Sequence, residues 1–492
     1  MRISIGTHGQ GLTARQIANA CGGKLVCEST LENTLVNAFC TDSREASVGA
    51  IFAAIRGERV DGHDYIVSAV ELGCSCFLCE RIPELKNVSC DGLIFIVVAD
   101  TVSALGDIAR SYMRTLSCRC VGVTGSVGKT TTKEMLSCIL SQVMCVHKTQ
   151  GNFNSNIGLP LVMLETPQEA EVNVLEMGTG EAGDIKYLSE LAAPDAAVIT
   201  NIGSAHIEAF GSRMALAREK LDVTRGMPEG SVLVINADDP YLMTFQSDTL
   251  KIIPVSLCSE SAPIRSKNIR RELLESHFDI VDQISGEVLK DCTVRVPGDH
   301  NIYAALLGYA LARHAFGVSA DDIRRGIGIF HNTGLRQNIV PIGKNMLLIE
   351  DCYNASPESV KASLEAAMHM KRTRGSRLVA VLGDMLALGK ESDAMHYDVG
   401  KAVAQLGVDI LVAFGERALN IARGAAESGM SVERILTFES ITDDGALECA
   451  RSTTSFIGGK DIVLVKASRA IKAERISEYI KLRFENFGAK RL

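Results

Sequence analysis

Residues 121–136 read VGVTGSVGKTTTKEML: an apolar run, a glycine-containing turn and then a segment with helical spacing. The widespread phosphate-binding loop has glycine, four residues of any type, and then Gly-Lys-Ser/Thr. Counting back from Gly128 places the first glycine at Val123, but this chain has its glycines at 122 and 125. A strand that turns into a helix in this way presents backbone N–H groups to an anion. We therefore predict a phosphate-binding loop, with an ordinary glycine-rich turn as the alternative.

The residue types in this loop suit a nucleotide triphosphate. Gly125 and Gly128 give the backbone freedom, Lys129 supplies positive charge, and Thr130 offers a hydroxyl to Mg²⁺. The predicted ATP-binding residues of this segment are Thr124, Gly125, Ser126, Val127, Gly128, Lys129, Thr130 and Thr131.

Composition narrows the class of protein. The chain has 492 residues, 46% of them hydrophobic, and a net charge of −8, which argues against a general binder of nucleic acids or membrane surfaces. The start of the chain, MRISIGTHGQG, lacks the apolar core of a signal peptide. The longest apolar runs, such as residues 93–99, are far too short to span a membrane. We expect a cytoplasmic protein with no nucleic-acid partner and no stable membrane insertion.

The fifteen cysteines are scattered along the chain, which is unlike the disulfide framework of a short secreted protein. One cluster, formed by Cys74, Cys76 and Cys79, offers a zinc site as one interpretation. It lies in an apolar stretch and has no second cysteine pair at zinc-site spacing, so buried free thiols are the favoured interpretation.

Short β-rich runs alternate with helical patterns along most of the chain, which predicts parallel sheets covered by helices. The predicted strands are 93–98, 120–123, 173–176, 196–200, 231–235, 347–349, 378–382, 410–414 and 462–465, and the predicted helices include 129–141, 301–314 and 356–370. We predict three α/β domains. They are a small N-terminal domain over 1–98, a central phosphate-loop domain with a mainly parallel sheet over 99–333, and a Rossmann-like C-terminal domain over 334–492.

A loop of the form TGSxGKTTT resembles that of the Mur ligase family. Other segments match the family's landmarks in the same order: TQGNFNSNIGLPL (149–161), LEMGTGEAGDI (175–185), TNIGSAHIEAFGS (200–212), GDHNIYAA (298–305), IEDCYNASPESVKASL (349–364) and VLGDMLALG (381–389). The resemblance spans nearly the whole chain, and several ordered motifs are more specific than any one of them. It implies an ATP-dependent ligase that activates a carboxylate as an acyl phosphate, with ATP and two Mg²⁺ ions as cofactors.

Two regions narrow the position within the family. Residues 41–65 resemble the members that add the later peptide units, and the segments at 353–357 and 383–385 resemble the member that adds the last one. The Asp-Asn-Pro-Arg motif of the member that adds a diamino acid is absent from the sequence. The resemblance implies UDP-N-acetylmuramoyl-tripeptide and D-alanyl-D-alanine as substrates, a monomer, and a role in peptidoglycan synthesis, and hence in cell shape and division. The alternatives are another Mur-type or folylpolyglutamate-type amino-acid ligase, or a phosphate-loop ATPase switch that moves a partner protein.

The resemblance also assigns metal ligands and catalytic residues. Glu176, which ends an apolar strand, and Thr130 are expected to bind Mg²⁺, and His206 a second Mg²⁺. The family carbamylates the lysine that matches Lys220, which turns a cation into an anion that supports the second metal. Lys129, His206 and Lys220 are thus the expected catalytic residues. The alternatives are a solvated carboxylate at 176, a packed loop histidine at 206 and a solvated helix lysine at 220.

The remaining expected contacts are with the nucleotides. Asn301, Arg336 and Asp351 match residues that meet ATP, although Arg336 also suits a surface salt bridge. Ser43, Arg44, Asn152 and Asn156 are expected to bind the UDP substrate. The chain departs from the family pattern where the family usually has asparagine, glutamate and glycine, at Ala304, Ala387 and Ala467.

Overall fold

The computed structural model describes residues 1–6, 11–85, 89–257 and 259–488. Its described part contains three large sheets that follow one another along the chain, and helices cover each of them. The α/β class with mainly parallel sheets is therefore confirmed. No helix among the described residues is both long and apolar enough to cross a membrane.

The first sheet has six strands, four of them parallel in its middle. The strands of this section are β1 Arg2–Ser4, β2 Leu12–Thr13, β3 Lys24–Val26, β4 Leu35–Val36, β5 Ala38–Cys40, β6 Ala50–Ala53, β7 Cys76–Cys79 and β8 Ile94–Val97, and its helices are α1 Ala14–Ala20, α2 Ile66–Glu71 and α3 Thr101–Met113. The strand order is β1-β5-β6-β7-β8-β3, with antiparallel edges, and β2 pairs with β4 separately.

The second sheet has nine strands and carries the phosphate loop. Its strands are β9 Arg119–Thr124, β10 Val146–Lys148, β11 Val172–Glu176, β12 Ala196–Ile199, β13 Val232–Asn236, β14 Lys251–Ser256, β15 Ile264–Arg271, β16 Ser276–Asp282 and β17 Glu287–Val294; its helices are α4 Lys129–Leu140, α5 Gly158–Glu165, α6 Asp184–Ala192, α7 Ile207–Phe210, α8 Arg213–Leu221, α9 Asp299–Phe316 and α10 Ala320–Gly328. The order is β10-β11-β9-β12-β13-β14-β15-β16-β17. Pairing is parallel from β10 to β15 and antiparallel beyond it.

The third sheet has six strands and belongs to the last section of the chain. The strands are β18 Asn338–Ile342, β19 Met346–Glu350, β20 Leu378–Gly383, β21 Ile410–Phe414, β22 Ile435–Phe438 and β23 Ile462–Lys466; the helices are α11 Pro357–Arg374, α12 Ser392–Leu406, α13 Leu419–Glu427, α14 Asp443–Phe456 and α15 Glu474–Gly488. The strand order is β18-β19-β23-β20-β21-β22. All pairings except β18 with β19 are parallel, as the strand–helix alternation predicts.

All nine strands and the three helices predicted from the sequence are present, with ends shifted by a few residues. The antiparallel extension β15–β17 was not among the predicted strands, because its burial alternates and polar residues interrupt its apolar pattern. The three sheets fall within the predicted domain ranges, but the boundaries near residues 98 and 333 stay predictions.

The cysteine cluster lies on and beside β7. Cys74, Cys76 and Cys79 are buried and free. Cys76 and Cys79 belong to different apolar clusters, because side chains alternate between the two faces of a strand. Cys74, which precedes the strand, lies in the cluster of Cys79.

Apolar packing joins the first two sections. A single cluster of buried side chains runs from the first sheet through α3 and α5 to one face of the second sheet, for example from Ile3 through Leu105 to Leu175. The third sheet has its own clusters on its two faces. The third section therefore has a core of its own, separate from the cluster that the first two sections share.

Within the third section, α12 and α13 approach each other closely at a pair of glycines. A Cβ added at Gly400 would lie 2.0 Å from the carbonyl oxygen of Ile421, and one at Gly424 would lie 2.1 Å from that of Tyr397. Real Cβ atoms do not approach a carbonyl oxygen this closely, so a larger residue must push the helices apart.

We predict that Gly400→Ala destabilises the third section by about 1–3 kcal/mol, the usual cost of overpacking. The thermal unfolding midpoint should fall by several degrees, at roughly 2–4 °C per kcal/mol. Gly458→Ala is the matched control, because no heavy atom lies within 4 Å of the added Cβ. Equal midpoints for the two variants would contradict the close helix contact.

Candidate functional site

The phosphate loop is held in shape by the segment that follows β12. Thr200 Oγ1 donates a hydrogen bond of 2.6 Å to the carbonyl oxygen of Val127, and Asn201 Oδ1 accepts one of 3.0 Å from the Val127 N–H. Gly125 has φ +140°, and a Cβ there would lie 2.0 Å from Thr200 Oγ1. The displaced glycine of the motif is therefore required by the neighbouring strand end, and it fixes the loop ahead of α4.

Lys129 lies over the loop. Its Nζ donates to the carbonyl oxygens of Gly125 at 2.8 Å and Ser126 at 3.4 Å. Desolvation by the surrounding protein lowers the pKa of Lys129; Glu176 acts against this and the charge of Arg336 adds to it. The amine is thus placed beside the loop with no carboxylate within ion-pair distance among the described residues, and an anion in the loop would be its natural partner.

A buried carboxylate stands next to the first helical turn. Thr130 Oγ1 donates to Glu176 Oε2 at 2.7 Å, and Asn154 Nδ2 donates to Glu176 Oε1 at 2.8 Å. Glu176 is 2% exposed, so it is not a solvated strand-end carboxylate. Parallel pairing places Glu176 opposite Val123 of β9, which explains how residues 46 positions apart come into contact.

His206 follows the same strand end as Thr200. It is half-buried, lines the cavity between the second and third sections and has φ +63°, in the left-handed region. Desolvation and the charges of Lys129 and Lys220 lower the pKa of His206 to about 4. The imidazole is therefore neutral at neutral pH, which is the form that binds a metal ion.

Lys220 is buried in α8 and is not a solvated helix lysine. It is 2% exposed, and within the described residues its amine has no hydrogen bond or ion pair. Burial, together with the charge of Lys129, moves the pKa of Lys220 well below its ordinary value. Lys220 does not line the cavity. Its neighbour Glu219 fixes α8 by accepting the backbone N–H groups of Gly183 and Ile185, each at 2.8 Å.

A cavity of about 820 Å³ lies between the second and third sections. Most of the predicted site residues line it: Ser126, Val127, Gly128, Lys129, Thr130, Thr131, Asn152, Asn156, Glu176, His206, Arg336 and Asp351. Phosphate loop, carboxylate and histidine therefore share one space, which the sequence order alone does not require.

The third section contributes side chains to the cavity from its first residues and from the end of β19. The guanidinium carbon of Arg336 lies 3.8 Å from the ring centroid of Tyr353, in a cation–π contact. Asp351 pairs with Lys466 at 2.7 Å. Burial opposes the charge on Asp351, but Lys466, together with Ser363 and His300, outweighs it and lowers the pKa of the carboxyl.

A carboxylate of α11 connects the second and third sections at the rim of the cavity. Glu358 Oε1 accepts a hydrogen bond of 2.7 Å from Ser204 Oγ and forms an ion pair of 2.7 Å with Arg213. The two donors lie on either side of His206 in the chain. The third section thus holds the segment that carries the histidine.

Asn301 is fully buried and does not line the cavity. Its Nδ2 donates to the carbonyl oxygen of Pro297 at 2.8 Å and to Gln337 Oε1 at 3.2 Å, while its Oδ1 is buried without a partner among the described residues. His300 and Ala304, on either side of it, do line the cavity.

The first section's candidates lie elsewhere. Ser43 and Arg44 form a short 3₁₀ turn, capped by Asp42, and Arg44 pairs with Asp42 at 2.5 Å. Neither residue lines the cavity. The Arg44 side chain is 86% exposed, so a ligand on the surface can reach it.

Several residues of the site were not among the predicted ones. Asn154 binds Glu176, Gln337 accepts from His300 Nε2 at 2.9 Å, Lys466 pairs with Asp351, and Glu358 binds Ser204 and Arg213. Asn154 stands between the predicted Asn152 and Asn156, so the asparagine-rich segment was a usable signal. Glu358 lies within the family motif at 349–364, but the partners of Glu358 and Lys466 could not be predicted, because these contacts are made across the fold.

Of the three departures from the family pattern, Ala304 lines the cavity with a short side chain. Ala387 has φ +59°, and Ala467 is fully buried, against Gly383.

Comparisons with known proteins agree with this geometry. The chain matches three family models: "Mur ligase family, catalytic domain" at 36–113, "Mur ligase middle domain" at 123–312, and "Mur ligase, glutamate ligase domain" at 336–469. It is 33% identical, over 94% of its length and 97% of the relative's, to the UDP-N-acetylmuramoyl-tripeptide–D-alanyl-D-alanine ligase of Bacillus subtilis.

Solved structures give the same result. The crystal structure of MurF from Acinetobacter baumannii superposes with a TM-score of 0.83 at 27% identity, covering 96% of this chain and 99% of that one. MurF ligase from Thermotoga maritima, solved in complex with ADP, gives 0.78 at 28% identity, covering 91% and 98%. With three family models and a relative above 30% identity spanning most of its length, the chain belongs to the Mur ligase family.

Proposed function

We propose that this protein is an ATP-dependent ligase that forms the amide bond between UDP-N-acetylmuramoyl-tripeptide and D-alanyl-D-alanine in peptidoglycan precursor synthesis. The observation that carries the proposal is the identity to the Bacillus subtilis ligase of that specificity along nearly the entire chain. The geometry agrees with it, because a phosphate loop, a buried carboxylate and residues of the third section line one cavity large enough for more than one reactant.

The chemistry explains why such a site is needed. A carboxylate oxygen is a poor leaving group, so the tripeptide carboxylate first attacks the γ-phosphorus of ATP and ADP leaves. The amine of D-alanyl-D-alanine then attacks the acyl phosphate carbon, and inorganic phosphate departs with one former carboxylate oxygen. The first step brings a triphosphate and a carboxylate together, so positive charge must be concentrated where negative charge accumulates.

Lys129 supplies charge at that point. Its amine lies on the loop carbonyls and needs only to turn toward phosphate oxygens. The loop N–H groups and the start of α4 add to this anion site. The hydroxyl of Ser126 is buried without a partner among the described residues, and a phosphate oxygen would satisfy it.

The residues fit two Mg²⁺ ions. Thr130 and Glu176 offer adjacent oxygen atoms, the ligand type that Mg²⁺ prefers, and the neutral His206 offers a nitrogen for a second ion. When bound, the ions would neutralise charge on the phosphates. The protein's part is to hold these ligands, with Asn154 fixing the carboxylate and Glu358 fixing the histidine segment.

Lys220 is proposed to act as a carbamate. Carbamylation requires the neutral amine, which burial and the charge of Lys129 favour. Reaction with CO₂ forms a nitrogen–carbon bond and releases one proton, leaving an anion. An anionic carbamate would attract a cation at His206, whereas an ammonium would repel it.

The third section is proposed to close over ATP. Arg336 and Asp351 line the same cavity as the phosphate loop, and Glu358 secures the closed arrangement through Arg213 and Ser204. Closure excludes water from the reactive acyl phosphate. Asn301 is proposed as a nucleotide contact on the family pattern alone, because it is buried and does not line the cavity.

The UDP-substrate contacts at Ser43, Arg44, Asn152 and Asn156 are proposed on the family pattern. Asn152 and Asn156 line the cavity, whereas Ser43 and Arg44 lie outside it, so an extended substrate would have to reach from the first section to the phosphate loop. The monomeric state and the cytoplasmic location stay predictions.

The function is tested by following oxygen from the acceptor. With the tripeptide carboxylate labelled by ¹⁸O, one label should appear in the released phosphate, and product should form only with both ATP and D-alanyl-D-alanine. Mass spectrometry of phosphate and product gives the answer. ATP hydrolysis that needs neither acceptor nor amine would instead favour the ATPase switch, and unlabelled phosphate during ligation would exclude carboxylate activation.

We predict that Lys220→Ala loses ligase activity on the order of 10²-fold, the scale of losing one electrostatic contact to a transition state. Added acetate should restore part of it by filling the vacated anionic position. Lys220→Arg should not recover with acetate, because guanidinium keeps its positive charge. Near wild-type rates for either variant would show that Lys220 has no such role.

His206 provides an independent measure. In bicarbonate-free buffer the imidazole of His206 should titrate with a pKa of about 4. NMR follows this titration, and the spectrum of His206→Gln assigns the signal. The folded protein then binds fewer protons than the unfolded one between pH 6.5 and about 4, so this group's contribution to stability falls as the pH drops through that window.

Bicarbonate should raise the pKa of His206 in the wild-type protein, because carbamylation places a negative charge on Lys220. The control is Lys220→Ala, in which bicarbonate should have no effect. An unchanged imidazole titration in the wild type would contradict carbamylation.

A further inference from the structure

A fully buried lysine lies one helical turn beyond the phosphate-loop lysine. Lys133 of α4 is 1% exposed. Its Nζ donates to the carbonyl oxygen of Thr149 at 2.5 Å and pairs with Glu134 Oε1 at 3.0 Å. Burying an ammonium is costly unless its hydrogen bonds are satisfied. Such a group calls for an explanation beyond packing.

Charge neutralisation of Glu134 does not provide that explanation. Lys148, on β10, already binds the other oxygen of this carboxylate and is partly exposed to solvent. What Lys133 alone supplies is the bond to Thr149, the first residue after β10. Lys133 therefore ties α4 to the start of the asparagine-rich segment.

Thr149 passes this constraint to the metal-binding carboxylate. Thr149 is fully buried, its own N–H donates to the Val174 carbonyl oxygen at 3.0 Å, and its Oγ1 accepts the N–H of Glu176 at 2.9 Å. Five residues later, Asn154 binds the Glu176 carboxylate, and its carbonyl oxygen accepts the N–H of Gly178 at 2.8 Å. The segment thus fixes Glu176 from its backbone and from its side chain.

We propose that Lys133 is a positioning residue: through Thr149 it sets the place of Glu176 and of the asparagine-rich segment, and so the affinity of the site for Mg²⁺. The inference rests on the proposed function, in which Glu176 is a metal ligand. Lys133 touches neither nucleotide nor metal, since it does not line the cavity, and acts only through the position of other groups.

Two substitutions interrupt the path at different points. Lys133→Met keeps the length and removes the donor to Thr149, while Glu134 keeps Lys148. Thr149→Val keeps the shape and removes the acceptor of the Glu176 N–H. Two further substitutions serve as controls: Thr149→Ser retains the hydroxyl, and Lys148→Met removes the other cation on the same carboxylate.

The first measurement is calorimetric binding of a non-hydrolysable ATP analogue at graded Mg²⁺ concentrations. Loss of a group that orients a metal ligand typically costs 10–100-fold in metal affinity, so the Mg²⁺ concentration for half-maximal binding should rise at least about tenfold in Lys133→Met and Thr149→Val. Thr149→Ser should recover most of the affinity, and Lys148→Met should stay within about twofold of the wild type.

The second measurement is hydrogen exchange on the metal-free protein. The Glu176 amide and the segment 150–157 should lose protection in Lys133→Met and Thr149→Val but keep it in Lys148→Met, because the bond accepted by Thr149 Oγ1 is absent or loosened. If Lys133→Met does not fold, the comparison of Thr149→Val with Thr149→Ser tests the proposal. Wild-type Mg²⁺ dependence and wild-type exchange in folded Thr149→Val would overturn the proposal.

These readouts separate the inference from the proposed function. Neither requires ligation, so a wild-type protein that binds Mg²⁺ and nucleotide but does not ligate would overturn the proposed function alone. Normal ligation by the wild type, with unchanged Mg²⁺ dependence and exchange in either folded Lys133→Met or folded Thr149→Val, would overturn the positioning role alone.

Discussion

Parallel pairing of β9 with β11 on one side and β12 on the other is the constraint on which the site depends. It places Glu176 opposite Val123 and Ile199 opposite Thr124, so three strand ends meet where the phosphate loop begins. Ligand sites in open α/β sheets form at the carboxyl ends of such strands, where the chain leaves to opposite sides. Sheet register therefore brings the loop, the carboxylate and the histidine segment to one place.

Burial then decides the charge state of the site. Lys129, His206 and Lys220 all have lowered pKa values, with desolvation as the largest cause in each. The charge of Lys129 adds to this effect at both His206 and Lys220. The negative charge of a bound triphosphate would offset this accumulation of positive charge. Buried groups with shifted pKa values are typical of catalytic sites. Here Lys129 and His206 line one cavity, and Lys220 is buried outside it.

The third section completes the cavity with a separate core. Because its apolar clusters are distinct from the one shared by the first two sections, polar contacts at the rim help to hold it in place. Glu358 reaches Ser204 and Arg213 on both sides of His206. Its carboxylate lies 3.2 Å from a Cβ built at Gly203, which leaves little space for a side chain at that position. The position of the third section is therefore linked to the position of His206.

The sequence by itself determined the α/β class, the three successive sheets, the phosphate loop and the family, because periodicity and motif order are local properties of the chain. It also indicated Glu176, His206 and Lys220, which the fold brings near one loop. Only the tertiary structure decided that Lys220 is buried outside the cavity, that Asn301 faces inward, and that Lys133 reaches Thr149. These facts depend on which face of an element meets which neighbour, and packing across strands distant in sequence sets that choice.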